Sequence, residues 1–123
     1  MPCMELGTIR SMEQLEIQSA AGTASKATIL HLKGPLTLAT LFEFQSRVRE
    51  PGLKDTIIDL TDVPYIDSAG LGSMLSHWAH TQRTGDKFAV CGACDRVKVL
   101  FQLTKVDSLI PAFGTCAEAE GSF

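Results

Sequence analysis

Polar and apolar residues alternate from Gln14 to Gln18, with Leu15 and Ile17 on one face, and this period of two predicts a half-buried strand. A loop of small residues follows, Ser19 to Lys26. The β-branched and apolar run Ala27 to Lys33 predicts a second strand, closed by Gly34-Pro35, that folds back on the first as an antiparallel pair. From Leu38 the period lengthens. Leu38, Leu41, Phe42 and Val48 recur at helical spacing with Glu43, Arg47 and Arg49 on the other side, and the helix should end before Pro51-Gly52.

The remainder repeats a simpler unit. Thr56 to Leu60 reads as a short buried strand, and a loop leads into a helix from Ser68 to about Arg83 whose face is Leu71, Met74, Leu75, Trp78 and Gln82. Gly85 is a natural stop, and Lys87 to Cys91 reads as another core strand. A third helix is expected from Asp95, burying Val97, Leu100, Phe101 and Leu103. Ser108 to Phe113 should hold a last short strand, and Thr115-Cys116-Ala117-Glu118 has the T-x-x-E spacing of a capping box at the start of a final helix.

Strands separated by single helices run parallel, because a crossover helix returns the chain to the same end of the sheet. The pattern therefore predicts an α/β fold with a mixed sheet of about five strands, mostly parallel with the first antiparallel, and about four helices. One domain over residues 1–123 is expected, with residues 1–11 set apart as a flexible N-terminal segment.

Composition narrows the function classes. The 123 residues are 45% hydrophobic and 20% charged, enough for one sizeable core. With 11 Lys plus Arg against 14 Asp plus Glu the net charge is -3, so the positive field that non-specific nucleic-acid binding uses is missing. No apolar run is longer than Phe88 to Cys91, far short of the ~20 residues that span a bilayer, so no membrane insertion is expected. The start, Met1 to Leu6, carries an acid where a secretory signal needs positive charge, which predicts a cytoplasmic protein whose four cysteines remain thiols.

The most unusual loop leaves the strand ending at Leu60. The segment from Asp55 to Ser68, strand and loop together, has four Asp and no Lys or Arg, and the loop runs directly into Ala69-Gly70-Leu71-Gly72. Loops at the carboxyl ends of strands are where an open α/β sheet meets its ligands. Ser68 occupies the expected helix N-cap, and a Ser before a helix is a cap far more often than a functional site. Two glycines in the first turn, each costing up to ~1 kcal/mol of helix propensity, call for close backbone approach instead. A dinucleotide fingerprint would need a third glycine where Leu75 stands, and there is no Walker-type G-K-S/T.

The strand with Asp59-Leu60, followed by the loop closing in Ile66-Asp67-Ser68-Ala69-Gly70-Leu71-Gly72, resembles the signature of the STAS family, the anti-sigma factor antagonists and the related domain of sulphate transporters. The likeness extends to the strand entry from Gly85 to Val90, the helix near Asp95 to Leu103, and the close Leu109 to Phe113. It implies a small non-catalytic domain with no cofactor. In the antagonist branch the serine of this element is phosphorylated by a GHKL-type serine kinase that is also the anti-sigma factor, and only the unphosphorylated form binds that kinase. Carried over by position, the acceptor is Ser68, and Thr37, Asp67, Ser68, Ala69, Gly70 and Gly72 form the partner-binding surface. Two positions depart from the family pattern. Gly34-Pro35-Leu36-Thr37 stands where many antagonists have a Gly-Glu-Leu-Asp-like turn, so Thr37 brings no charge; and Thr104-Lys105-Val106 replaces Thr-Gly-Leu, which strains Lys105 if its backbone is left-handed.

Other chemistry is weaker. Cys91-Gly92-Ala93-Cys94 is a C-x-x-C without a second ligand pair at a usual spacing; His77 and His80 stand at i and i+3 and His31 is alone on its strand. These residues, with Trp78, are expected to be structural, and no metal is expected. The function expected is an anti-sigma factor antagonist switched by serine phosphorylation in a bacterial partner-switching pathway. The alternative is a regulatory STAS subunit of a transporter or stressosome-like assembly without a phosphorylation cycle.

Overall fold

The computed structural model describes residues 14–22 and 26–123; the segment 1–11 lies outside the described residues. Among the described residues five strands and four α-helices follow in the order β1 (Glu16–Ala21), β2 (Thr28–Lys33), α1 (Leu41–Val48), β3 (Thr56–Asp62), α2 (Ser68–Thr84), β4 (Phe88–Cys91), α3 (Asp95–Leu103), β5 (Ala112–Phe113) and α4 (Cys116–Gly121). A 3-10 turn, Val106–Ser108, precedes β5. The strands lie side by side in sequence order; β1 pairs antiparallel with β2 and every later pair is parallel, as the alternation of strands and helices requires.

The sheet has two unequal faces. Leu30, Leu32, Ile58, Leu60, Phe88 and Val90 pack with α1, α2 and α3 through Phe44, Val48, Leu71, Met74, Val97 and Phe101 in the main core. The opposite face carries Ile29, Ile57, Ala89 and Cys91, packed with Ala119 of α4 and the flanking Phe113, Cys116 and Phe123. α4 starts in the expected capping box: the Thr115 hydroxyl accepts the Glu118 N–H and the Glu118 carboxylate accepts the Thr115 N–H, both at 3.1 Å.

Three helical faces differ from the sequence expectation. α1 starts later and turns Leu38 (73% exposed) and Phe42 (76%) outward, while Phe44 fills the core. The cause is the turn before the helix: the Thr40 hydroxyl donates to the Pro35 carbonyl at 2.8 Å and accepts the Thr37 N–H at 3.0 Å, which delays helical winding. In α2 the buried stripe is rotated towards Ser73, His77 and Thr81, so Leu75 and Trp78 are half-buried and Gln82 is exposed. In α3 the helix ends at Leu103, which points to solvent at 78% exposure. Lys105 beyond it adopts φ 61°, the left-handed conformation that family glycine would take without strain.

Candidate functional site

The loop between β3 and α2 is locked to the loop after β2 by backbone. Leu36 N–H donates to Tyr65 O at 3.2 Å and Asp67 N–H to Leu36 O at 3.1 Å, a one-residue parallel bridge beyond the sheet. Asp67, not Ser68, is the N-cap. Its Oδ1 accepts the Gly70 N–H at 2.9 Å, and its Oδ2 accepts the Leu38 N–H at 3.0 Å. These bonds, that of Gly70 foremost, hold the Asp67 carboxyl below its ordinary range, so it is an anion at neutral pH.

With Asp67 capping, Ser68 becomes the first helical residue. It is exposed, and its hydroxyl has no hydrogen-bond partner among the described residues. An aspartate fixed from two sides caps better than a serine one position on, and the displaced serine is left presented at the tip of the helix. Gly70 behaves as expected. A Cβ there would come within 2.9 Å of both the carbonyl carbon and the Cγ of Leu36, so only glycine lets α2 start beneath the preceding loop. Gly72 does not, since a Cβ on it would meet nothing within 4 Å and the residue is exposed. Thr37 is brought to the same corner through its neighbour Leu38, but its hydroxyl accepts the Ala39 N–H at 3.2 Å and serves the turn. Thr37, Asp67, Ser68, Ala69 and Gly70 thus gather at one corner of the molecule, with Gly72 a turn along the exposed side of α2.

The sequence pattern missed the apolar rim of this corner. Leu38, whose N–H is bonded to Asp67, and Phe42, in the first turn of α1, are both open to solvent. On the other side a shallow hollow of about 350 Å³ is lined by Tyr65, Ile66, Asp67, Arg96, Val99, Leu100 and Leu103, and Arg96 lies 5.1 Å over the Tyr65 ring. In the sequence the signal is large apolar residues at helical spacing, a pattern that a core-facing stripe shares.

Residues set aside as structural fall elsewhere. His31 pairs with Asp59 of β3 on the α4 side of the sheet, where the Asp59 Oδ2 meets His31 Nδ1 at 2.7 Å and its Oδ1 accepts the Thr61 hydroxyl at 2.6 Å. His77 is buried edge-on against Phe88, and burial pushes its pKa down to about 4, so its ring is neutral. The C-x-x-C is separated by the fold: the Cys94 thiol donates to the carbonyls of Val63 and Pro64 at 3.6 and 3.7 Å, whereas Cys91 is joined to Cys116 in a disulfide, contrary to the expectation of four thiols. Strand register at the end of β4 turns Cys91 to the α4 face, where Cys116 begins that helix.

The STAS domain family model matches residues 15–119, which contain every element of the sheet and this corner, and the chain belongs to that family. Among curated proteins it is similar to the anti-sigma-B factor antagonist of Staphylococcus aureus, 28% identical over 74 residues that cover 60% of this chain and 68% of that one. Two solved structures share the fold. An anti-sigma factor antagonist from Mycobacterium paratuberculosis superposes with a TM-score of 0.78 at 15% identity, covering 88% of this chain and 92% of that one. A sulfate transporter family protein from Wolinella succinogenes does so with a TM-score of 0.65 at 17% identity, covering 84% and 87%. Among the described residues no helix is long and apolar enough to cross a membrane.

Proposed function

We propose that this chain is an anti-sigma factor antagonist: a non-catalytic cytoplasmic domain that binds a GHKL-type anti-sigma factor kinase and is released when that kinase phosphorylates Ser68. The observation that carries the reading is the state of Ser68, an exposed hydroxyl with no internal partner among the described residues, presented at the first position of a 17-residue helix, next to Asp67 that holds exposed Leu38; with exposed Phe42 of α1, Leu38 forms the apolar rim of this reading. A kinase can reach such a hydroxyl. A protein partner can bury such a rim, which water solvates poorly. The similarity to the Staphylococcus aureus antagonist supports the same role.

The chemistry of the switch follows from local charge. Phosphorylation adds roughly -1.5 to -2 charges beside the Asp67 anion. The N-terminus of α2 favours an anion by ~0.3–1 kcal/mol, so the domain itself tolerates the group. A partner packed over the corner meets a bulky dianion where a hydroxyl had been. A conflict of about 4 kcal/mol weakens binding roughly a thousandfold.

The test is phosphorylation by the cognate kinase with ATP, followed by mass spectrometry and calorimetry. Phosphate should appear on Ser68 alone, Ser68→Ala should bind constitutively, and Ser68→Asp should bind weakly while remaining folded. Equal affinities of the two variants, or undiminished phosphate on Ser68→Ala, would discard the switch. The fold shared with the sulfate transporter family protein favours a second reading, a regulatory STAS subunit without a phosphorylation cycle. That reading would stand if a purified transporter bound the chain identically in both variants.

A further inference from the structure

A disulfide accounts for two sulfurs, but the Cys91–Cys116 pair has a third donor beside it. A carboxylate oxygen of Asp59 and the two sulfurs all lie within 4.8 Å of one another. The three residues come from β3, β4 and the start of α4, and strand register places Asp59 directly between His31 on β2 and Cys91 on β4. The carboxylate is also fixed. Its Oδ1 accepts the Thr61 N–H at 3.0 Å and the Thr61 hydroxyl at 2.6 Å, and its Oδ2 is 2.7 Å from His31 Nδ1. Gly92, at φ 72°, leaves room for this arrangement, since a Cβ there would come 3.1 Å from Oδ1 and closer still to the Thr61 hydroxyl.

We propose that, with the disulfide reduced, Cys91, Cys116 and Asp59 bind one thiophilic divalent ion of the zinc class, with His31 as the positioning residue behind the carboxylate. Reduction breaks the S–S bond with two electrons and two protons and yields two thiols; a cellular dithiol, itself oxidised to a disulfide, supplies them. Metal binding then releases the thiol protons, because the ligands are thiolates. Two thiolates beside a carboxylate repel one another strongly in a half-buried site, and a dication removes that repulsion. Zinc takes sulfur at about 2.3 Å and carboxylate oxygen at about 2.0–2.2 Å in a tetrahedron, so its two sulfurs stand roughly 3.8 Å apart. With Cα atoms 5.4 Å apart, that separation needs side-chain rotation and no movement of either element. Water completes the fourth position. The pair of soft thiolates selects zinc-like ions over magnesium or calcium, and a carboxylate held by a second residue is how such sites orient their ligands. Residues so far apart in sequence leave no spacing motif, which is why Cys91 reads as half of a C-x-x-C.

Cobalt(II) added to the full chain, reduced with a phosphine, is the probe. Expected are a sulfur-to-cobalt charge-transfer band and tetrahedral visible bands that saturate at a single ion per chain and vanish when zinc is added. The oxidised chain should show neither. Cys91→Ser and Cys116→Ser should lose the sulfur band's strength, His31→Ala should weaken binding ~10–100-fold, and Cys94→Ser should leave it unchanged. A reduced chain without the band, an oxidised chain with it, or full intensity in Cys116→Ser would overturn the site. Should Cys116→Ser fail to fold by circular dichroism, the oxidised and reduced forms of the unaltered chain still decide the question.

Discussion

The carboxylate of Asp67 accepts the backbone N–H of Leu38 at 3.0 Å, across 29 residues of chain, while its other oxygen caps α2 through Gly70. One side chain therefore sets both the start of the helix that presents Ser68 and the position of the loop that presents Leu38. Asp67→Ala removes a cap and a tertiary bond together, and should cost about 1–2 kcal/mol in urea denaturation. Asp67→Asn, which keeps one acceptor oxygen, should lose less. Equal stability of Asp67→Ala and the parent would show that the corner is held by the backbone bridge alone.

The two glycines of the α2 start should respond in opposite senses. Gly70→Ala drives a methyl into Leu36 and should destabilise the domain despite the better helix propensity of alanine. Gly72→Ala meets open space within the helix and should raise stability by up to ~1 kcal/mol. Thermal denaturation of both variants checks the pair, and a stabilised Gly70→Ala would refute the close approach.

Lys105 holds a left-handed backbone that costs a non-glycine residue roughly 1–2 kcal/mol. Lys105→Gly should recover part of this, a gain of about 1 kcal/mol after the greater flexibility of glycine in the unfolded chain is subtracted. A loss of stability on denaturant melting would mean that the lysine side chain contributes more than its backbone costs.

What the sequence made legible follows the range of the forces involved. Strand directions, the antiparallel opening and the capping box at Thr115 are set by near neighbours along the chain and by the crossover helices, so periodicity and turn residues revealed them; the side-by-side order of the strands needed the folded sheet. Helix faces were less legible. Thr40 bonds to Pro35 and delays α1, which turns Leu38 and Phe42 outward, and no local pattern separates an outward Phe42 from an inward Phe44. The cap moved from Ser68 to Asp67 because the second partner of Asp67 is Leu38, a tertiary neighbour. Cys91 met Cys116 for the same reason: the pairing exists only once α4 lies on the sheet.

Acid should weaken the fold through His77. Its ring is buried against Phe88 with a pKa lowered from 6.5 to about 4, so the unfolded chain takes up a proton that the folded chain refuses. Stability should therefore be full above pH 6.5, fall as the pH drops from there towards 4, and gain no further slope from this group below that. Asp59 and Asp67, held below their ordinary value of 3.8, act only at lower pH, which leaves the window to His77. His77→Phe should flatten stability between pH 4 and 6.5 in urea melts. An unchanged slope in that variant would assign the acid sensitivity to another group.

Leu38 and Phe42 provide the sharpest separation between folding and binding. Both are exposed by more than two thirds, so they contribute little to the core, and neighbouring Asp67 places Leu38 beside the candidate phosphorylation site. Leu38→Ser and Phe42→Ser should leave thermal stability within about 0.5 kcal/mol, as surface changes do. If this rim is buried by the partner, each should weaken its binding by roughly 1–3 kcal/mol, the range expected when an apolar side chain central to an interface is removed. The loss should add little to that of Ser68→Asp, since a partner already expelled from the corner has no rim contact left to lose. Calorimetry on the single and double variants measures this coupling. Full affinity in both single variants, with stability intact, would place the partner surface away from this corner.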